Sequence, residues 1–302
     1  MDAEQRRGLQ AAIVAYVGWG LLTVYWKQLS EFDPLELVGW RVASAALIMT
    51  VWLTVAGQLD QLAVLARDRA TLANVVMASV LLTVNWSTYV WAVVNEHVIE
   101  TALGYFLAPL GTTALGVFVL GERLTPLKQA SIVCALVAIV VLTVSYGEVP
   151  WVAVLLAVSW SIYGYVKRRV RLDPLASLTG ELLVLVVPAL VLVGLSFAHD
   201  GGIPHASTGG DLALVLGTGV ITAAPLLLFA FAAKRVPFTI LGPANYLIPI
   251  INFLLGWLAY GEPLTTSRVV GFALVWLALA LVTVDAVGGS RAARRLPAVH
   301  VG

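Results

Sequence analysis

The sequence has little charge and almost no cysteine. Lysine, arginine, aspartate and glutamate make up 12% of its 302 residues, whereas an ordinary soluble domain has about 25%. Such a chain cannot cover a globule with polar groups, which excludes a water-soluble fold and indicates lipid as the solvent. The single Cys134 excludes an internal disulfide and a cysteine-rich metal site. The net charge of +1 argues against nucleic acid as a partner.

Motifs of enzymes and of ATP-driven pumps are also missing. The sequence contains no GxxxxGK[ST], HExxH or GxSxG, so it offers no phosphate-binding loop for ATP, no zinc-protease helix and no serine nucleophile. The histidines fall in loops or the tail without metal-ligand spacing. No stretch is polar enough to form a soluble domain that holds a cofactor. We therefore predict no enzymatic activity, no metal and no cofactor.

Long apolar runs dominate what the sequence does contain. Apolar residues make up 60% of the chain, and the mean hydropathy is +0.92. A membrane-spanning helix needs about 20 mostly apolar residues. The prediction is an all-α integral membrane protein with ten transmembrane helices, at 8–28, 36–56, 71–93, 99–120, 126–145, 150–170, 175–197, 211–233, 240–260 and 266–286.

The distribution of lysine and arginine predicts the orientation. If the N-terminus is cytoplasmic, only Lys27, Arg41 and Arg268 of the 18 basic residues lie on the outer side, and the remaining 15 lie on the inner side. Basic residues accumulate on the cytoplasmic side of membrane proteins. Both termini are therefore predicted to be cytoplasmic.

An internal repeat with an offset of 140 residues runs through the chain. "YWKQLSEFDPL" at 25–35 matches "YVKRRVRLDPL" at 165–175, and the segment 105–125 aligns with 245–265 without a gap. The predicted units are 1–145 and 146–288, with five helices each, followed by a cytoplasmic tail at 289–302. Because five is odd, the second unit is inverted, as in many secondary transporters, although channels are also built this way. In both copies of "DPL", Asp33 and Asp173 are predicted to cap the next helix.

Several short motifs occur in a specific order. They include "GWG" at 18–20, "YWK" at 25–27, "NWSTYVWA" at 85–92, "TALGYFLAP" at 101–109, "GERL" at 121–124, "TAAPLLLFAFA" at 222–232 and "LGPANYLIP" at 241–249. In these motifs the chain resembles the drug/metabolite transporter superfamily, in the RarD-like part of its EamA branch. The resemblance implies two five-helix repeats in the inner membrane and transport of small metabolites or drugs, often outward. Trp40 and Asn245 depart from the His and Gln that the family leads us to expect, so no substrate preference is carried over.

Two charged residues lie inside predicted helices at equivalent repeat positions. Arg41 and Glu181 each follow a proline by seven residues, which places them about 10 Å into helices that enter from opposite faces. We expect no direct ion pair, with Arg41 near the outer mouth and Glu181 near the inner one. Each is a candidate for a gate or substrate contact, and Glu181 for a proton-coupling carboxylate. Alternatively, Arg41 snorkels to the surface and Glu181 bonds a neighbouring helix.

The equivalent prolines Pro109 and Pro249 lie near the middle of the fourth and ninth spans. Each removes a helix hydrogen bond and frees the carbonyl four residues earlier, which belongs to Tyr105 or Asn245. Paired interruptions in corresponding helices indicate a transporter site. The alternative is a simple packing kink.

Aromatic and amide side chains are predicted to line the same cavity. Asn85 and Tyr89 share one face of the third span. Such a cavity suits a flat or amphipathic organic solute, although Trp and Tyr are also common at membrane interfaces. The further members of this predicted substrate path are Trp19, Tyr25, Tyr105, Tyr163, Asn245 and Tyr246.

Four charged residues lie at helix ends. Lys27 and Lys167 are equivalent and are predicted to act at a gate or to reach the membrane interface, as lysines at helix ends usually do. Glu122 and Glu262 follow the aligned fourth and ninth spans, where capping and loop-to-helix contacts are the favoured interpretation.

The favoured function is a secondary transporter that exports small organic molecules by alternating access. Its predicted partners are a small-molecule substrate, the lipid bilayer and, as an open alternative, a coupling proton. An uncoupled facilitator is equally compatible with the sequence. A non-transporting receptor or scaffold is the second candidate. The sequence predicts neither a substrate nor an oligomeric state.

Overall fold

The computed structural model describes residues 3–121, 124–146, 149–233, 235–236, 241 and 244–295. All regular structure in these residues is helical, with no strand among them. Helices are expected where lipid is the solvent, since a helix satisfies its backbone hydrogen bonds within one segment. The predicted all-α fold class is therefore confirmed.

The described residues form twelve α-helices and two short helical segments of other types. A 3₁₀ turn, Leu59–Leu62, precedes α3, and a π-helical segment, Leu255–Ala259, follows α11. The α-helices are α1 (Ala3–Lys27), α2 (Pro34–Val55), α3 (Ala63–Arg67), α4 (Arg69–Val94), α5 (Val98–Phe118), α6 (Pro126–Tyr146), α7 (Trp151–Lys167), α8 (Pro174–Ser196), α9 (Ile203–Ala206), α10 (Gly209–Ala233), α11 (Leu247–Leu254) and α12 (Thr266–Arg295).

Eight of the described helices are long and apolar enough to cross a membrane, namely α1, α2, α4, α5, α6, α8, α10 and α12. The apolar helices Trp151–Lys167 and Leu247–Ala259 are shorter. These ten elements coincide with the ten predicted stretches, but the two short ones leave ten crossings a prediction. Large apolar side chains such as Leu47, Val55 and Val187 are exposed on the outer faces of the bundle, as expected for an integral membrane protein.

The two "DPL" sequences begin helices in different ways. The side chain of Asp33 accepts hydrogen bonds from the backbone N–H groups of Leu35 and Glu36, so it caps α2 as predicted. Asp173 makes no such cap, and the prediction is wrong there. Its carboxylate instead accepts a hydrogen bond from the Gln61 side chain at 3.0 Å, which ties the start of α8 to the turn before α3.

The ninth predicted span is interrupted within its first half. Asn245 and Tyr246 form a turn, and α11 begins at Leu247 and ends in the π-helical segment. At the other end of the chain, α12 continues to Arg295, so the predicted tail begins within this helix. The remaining residues of that tail, 296–302, lie outside the described part.

Helices from the two predicted units pack closely against one another. In three of the contacts, those of α2 with α8, α6 with α12 and α5 with α11, the two helices occupy corresponding positions in the two units. Helix α1 packs on α10 and α11, while α7 packs on α4 and α5. The inner faces of α1, α2, α4, α5, α7, α8, α10 and α11 therefore enclose the polar groups described next.

Candidate functional site

Arg41 lies buried in the centre of the helix bundle. Its side chain is 4% exposed, so the alternative interpretation that it snorkels to the outer surface is wrong. Its Nε atom donates a hydrogen bond to Oγ1 of Thr222 in α10 at 3.0 Å. Its guanidinium carbon lies 4.0 Å from the ring centre of Trp86 and 5.3 Å from that of Trp26. Arg41 is thus held by two aromatic faces and one hydroxyl.

A chain of buried polar side chains joins α1, α4, α5 and α11. Oγ1 of Thr23 lies 2.9 Å from the hydroxyl of Tyr89 and donates to Oδ1 of Asn252, also at 2.9 Å. The Asn252 amide donates to Oγ1 of Thr101 at 3.4 Å. Of these residues only Tyr89 was predicted. The signal for Asn252 was an amide inside the apolar run "IPIINFLLGW", since a buried amide needs a hydrogen-bond partner.

Asn85 connects α4 to α7 and to α5. Its amide nitrogen donates to the carbonyl of Leu156 at 3.2 Å and to Oγ of Ser159 at 3.0 Å. Its Oδ1 accepts a hydrogen bond from the hydroxyl of Tyr105 at 3.3 Å. The ring of Tyr105 lies 5.9 Å from that of Tyr89. The predicted residues Asn85, Tyr89 and Tyr105 therefore belong to one cluster beside Arg41.

Glu181 lies at the centre of a second cluster between α7 and α8. Its carboxylate is fully buried, and Nζ of Lys167 lies 2.5 Å from Oε1. The hydroxyl of Tyr163 donates to Oε2 at 3.0 Å, and that of Ser177 donates to Oε1 at 3.1 Å. The Lys167 ammonium therefore contacts a buried carboxylate, and its role at a gate or at the membrane interface stays a prediction.

Arg41 and Glu181 do not pair with each other. Glu181 forms an ion pair with Lys167, whereas Arg41 donates a hydrogen bond to a hydroxyl and faces aromatic rings. The expectation that they form no direct ion pair agrees with these separate contacts. The charged residues of the two units therefore form two separate sites.

The predicted aromatic residues Trp19 and Tyr25 lie near the central clusters, where they contribute to the packing of α1 against α10. Trp19 contacts the rings of Tyr16 and Phe229, with centres 5.9 and 5.8 Å away. The hydroxyl of Tyr25 donates to the backbone carbonyl of Leu214. Both contacts join a helix of the first predicted unit to a helix of the second.

Tyr246 faces a different space. Its ring stacks on Phe106 with centres 6.3 Å apart. Both residues line an almost entirely apolar groove of about 500 Å³ that contains neither Arg41 nor Glu181. The other residues that line this groove are Ile250, Phe253, Leu254, Trp276, Leu279, Ala280 and Thr283.

The two prolines have different surroundings. Pro109 lies inside the continuous helix α5, and its carbonyl accepts a hydrogen bond from Thr113 Oγ1 at 2.9 Å. Pro249 lies in the first turn of α11, where a missing N–H group costs little. The expectation that Pro249 frees the carbonyl of Asn245 is wrong, because that carbonyl accepts the N–H of Ile248 at 3.2 Å.

The remaining predicted residues lie at helix ends. Nζ of Lys27 lies 5.3 Å from the ring centre of Tyr260. The carboxylate of Glu262 accepts the first two N–H groups of α5 at 2.6 and 2.9 Å, which agrees with the favoured capping interpretation. Burial raises the pKa of the Glu262 carboxyl, although these two donors oppose the shift. Its counterpart Glu122 lies outside the described residues.

The sequence matches one family profile twice. The profile of the EamA-like transporter family aligns with residues 6–144 and again with residues 149–284. The gap between the two matches falls close to the boundary that the 140-residue repeat predicts.

Full-length relatives are found in several bacteria. The chain is 37% identical to "Protein RarD" of Streptomyces exfoliatus over 97% of this chain and 93% of that protein. It is 33% identical to "Uncharacterized transporter YojE" of Bacillus subtilis over 97% and 98% of the two chains. "Protein RarD" of Escherichia coli is 32% identical, over 95% and 97%.

A solved crystal structure has a similar fold. That chain is 20% identical in sequence and superposes with a TM-score of 0.58, which covers 97% of this chain and 100% of the other. At this level of identity the likeness concerns the fold alone.

Proposed function

Because the chain belongs to the EamA-like transporter family, in its RarD-like branch, we propose that it exports small organic metabolites or drugs without ATP. The proposed route crosses the cytoplasmic membrane through the centre of the bundle. In this mechanism the two halves rock against each other and expose a central site to one side at a time.

The proposed architecture is ten membrane-spanning helices in two inverted repeats, 1–145 and 146–288. The helix contacts support it, because they come in corresponding sets. The contact of α1 with α10 corresponds to that of α7 with α4, and the contact of α1 with α11 to that of α7 with α5. Three further contacts, α2 with α8, α5 with α11 and α6 with α12, pair a helix with its own counterpart. A two-fold relation between the halves accounts for this pattern.

The proposed orientation has both termini in the cytoplasm, with 289–302 as a cytoplasmic tail. It rests on the excess of lysine and arginine on that side. Lys167 and Glu181 then lie towards the cytoplasm, at the end of α7 and the beginning of α8. Arg41 approaches from the outside.

One observation carries the proposed site: buried polar side chains of the two halves meet at its centre. Arg41 of the first half bonds Thr222 of the second, and Thr23 of the first bonds Asn252 of the second. Polar and charged side chains inside a membrane cost free energy, so they usually have a functional role. Contacts that bridge the two halves must change when the halves move, which suits them to an alternating-access site.

The Glu181 cluster is the proposed inner gate and a candidate for proton coupling. A proton delivered to Glu181 would cancel its attraction for Lys167 and release α7 from α8. The same protonation would connect the movement of the gate to a proton gradient. Without such coupling, the pair would serve as a gate in an uncoupled facilitator.

Flux measurements in liposomes test this function. We would load liposomes containing the purified protein with amino acids, organic acids, nucleobases and amphipathic drugs, and follow flux with and without a pH gradient. Glu181→Gln and Tyr105→Ala alter the proposed path. Asn74→Ala is the control, because Asn74 is a half-buried residue of α4 whose amide donates to the Ala70 carbonyl of its own helix. Comparing flux in liposomes with right-side-out protein and in liposomes with inside-out protein distinguishes export from uptake.

We expect gradient-dependent flux of at least one solute, which Glu181→Gln abolishes and Asn74→Ala leaves unchanged. Flux that ignores both the gradient and Glu181→Gln would identify a facilitator. If the folded wild-type protein carries no solute of the panel, the transport proposal fails and a receptor or scaffold takes its place.

A further inference from the structure

Arg41 is a buried cation without a buried anion. Its contacts are the Thr222 hydroxyl and the rings of Trp86 and Trp26, and its Nη1 atom has no hydrogen-bond partner. The hydroxyls of Tyr89 and Tyr105 are the groups close enough to interact with its charge electrostatically. Among the residues that the structure describes, no carboxylate forms an ion pair with it.

Such an arrangement is unfavourable unless another group completes it. A buried charge is costly unless it is paired and hydrogen-bonded. The attraction of the guanidinium to the Trp86 ring, whose centre is 4.0 Å away, offsets part of this cost. The free Nη1 atom remains, so the site lacks a negatively charged acceptor.

The corresponding position in the other half provides an internal comparison. Glu181 lies 140 residues after Arg41, and its carboxylate is neutralised by Lys167 and bonded by Tyr163 and Ser177. The same location in the repeat therefore holds a completed ion pair in one half and an incomplete one in the other. If the charge at this location had only a structural role, we would expect an oppositely charged partner in both halves. Arg41 has no such partner among the described residues.

We propose that Arg41 binds the carboxylate group of an organic monoacid, whose apolar body lies against Trp86 and Trp26. This inference rests on the transport function proposed above, since the acid reaches the closed site only when the two halves separate. A guanidinium presents paired N–H donors that match the two oxygens of a carboxylate. One arginine balances one negative charge, which favours a monocarboxylate over a phosphate dianion. The surrounding indole faces favour an aromatic or long aliphatic acid.

Binding of matched small molecules to the full-length protein in lipid nanodiscs tests this proposal. The acid probes are 3-phenylpropionate, indole-3-acetate and octanoate. The first is compared with its neutral amide, with the amine 3-phenylpropylamine and with phenyl phosphate. Saturable change in tryptophan fluorescence and stabilisation against heat are the two readouts. We expect at least one acid to bind, and its amide or amine to bind at least tenfold more weakly.

Variants separate Arg41 from general effects of charge. Arg41→Gln is expected to lower the affinity for the acid at least tenfold, and Arg41→Lys to retain part of it. Arg171→Gln is the matched control, because the Arg171 side chain is 84% exposed. Arg41→Gln loses the hydrogen bond to Thr222 and the ring contacts but also removes a buried unpaired charge, so we expect only a small change in thermal stability. An arginine with a purely structural role would instead lower the stability when replaced.

Each contrary outcome is decisive. Equal binding of the acid and the amide, no binding of any acid, tight binding of phenyl phosphate alone, or full affinity in folded Arg41→Gln would overturn the proposal. If Arg41→Gln does not fold, the comparison of acid with amide in the wild-type protein still decides. Transport of a neutral solute that survives Arg41→Gln would overturn the acid site and leave the transport function standing. Acid binding without flux of any solute would overturn the transport function and leave the acid site standing.

Discussion

Nζ of Lys167 lies 2.5 Å from Oε1 of Glu181, and this carboxylate is fully buried. Tyr163 and Ser177 bond the same group, so both of its oxygens have partners. The equivalent residue in the other repeat, Arg41, has the opposite charge and contacts aromatic rings instead. The Glu181 charge is therefore neutralised within the protein, while no carboxylate among the described residues pairs with Arg41.

Removing one partner of the inner pair is expected to be more harmful than removing both. Lys167→Met leaves the Glu181 carboxylate buried without its cation, and an uncompensated charge of this kind costs about 3–5 kcal/mol. Lys167→Met combined with Glu181→Gln leaves no buried charge and is expected to recover most of that loss. Thermal unfolding of the single and double variants in nanodiscs measures the coupling.

Arg169→Met serves as a control for this pair, since the exposed Arg169 lies in the turn after α7 and its side chain contacts the ring and hydroxyl of Tyr165. Additive losses in the double variant would show that Lys167 and Glu181 do not act as a pair. The same double variant is expected to retain a closed fold but to lose any dependence of flux on a pH gradient.

Asn252 is expected to matter more for flux than for stability. Asn252→Leu keeps a similar volume but breaks the hydrogen bonds to Thr23 and Thr101. Hydrogen bonds between membrane helices contribute about 0.6 kcal/mol on average, so the loss of stability should stay below about 2 kcal/mol. Flux should fall at least tenfold, because the contact between the halves is lost. Equal flux in Asn252→Leu and the control Asn74→Ala would remove Asn252 from the site.

The sequence predicted where the helices lie better than it predicted which helices pack against one another. Apolar runs of about 20 residues are set by the thickness of the bilayer, so the sequence located the eight long apolar helices and the two shorter ones of the described residues. The charged residues Arg41 and Glu181 could also be identified from the sequence, because a charge inside an apolar run is rare. Their partners come from other helices, and no local pattern encodes which faces meet.

Three particular residues illustrate this limit. Lys167 was predicted to act at a gate or to reach the membrane interface, and no local pattern indicated that it pairs with Glu181. Asp173 was expected to cap α8 by analogy with Asp33, but Gln61 from a distant turn binds its carboxylate instead. Asn252 was missed, although an amide in an apolar run is the same signal that identified Asn85.

Glu262 is expected to make stability depend on pH. Burial raises the pKa of its carboxyl, so the folded protein binds the proton more tightly than the unfolded chain. This contribution is fully present below the ordinary glutamate pKa and is lost as the pH rises through the raised folded value. Glu262→Gln removes this titration and retains an oxygen acceptor for the N–H groups of α5.

Unfolding temperatures between about pH 4 and about pH 8 measure the effect. The wild-type protein should lose stability relative to Glu262→Gln as the pH rises across this window. A constant difference between the two proteins would mean that the backbone donors outweigh the effect of burial. Glu31→Gln, which removes an exposed carboxylate of the loop after α1, is the control.

The close approach of α2 and α10 beside Arg41 leads to the last prediction. A Cβ atom at Gly219 would lie 2.6 Å from the carbonyl carbon of Ser44 and 2.8 Å from its oxygen. Because backbone atoms cannot move aside as a side chain can, Gly219→Ala should push the helices apart and cost about 1–3 kcal/mol. Thr222 lies one turn further along α10, so the same shift should weaken its hydrogen bond to Arg41.

The matched control for Gly219→Ala is Gly194→Ala in α8, where a Cβ atom would meet nothing within 4 Å. There the better helix propensity of alanine should leave stability unchanged or raise it by up to about 1 kcal/mol. Unfolding temperatures and the affinity for 3-phenylpropionate would be measured for both variants. We expect Gly219→Ala to lower both quantities. If it behaves like Gly194→Ala, the helices at Arg41 are not in close contact, and Thr222 does not hold the guanidinium in position.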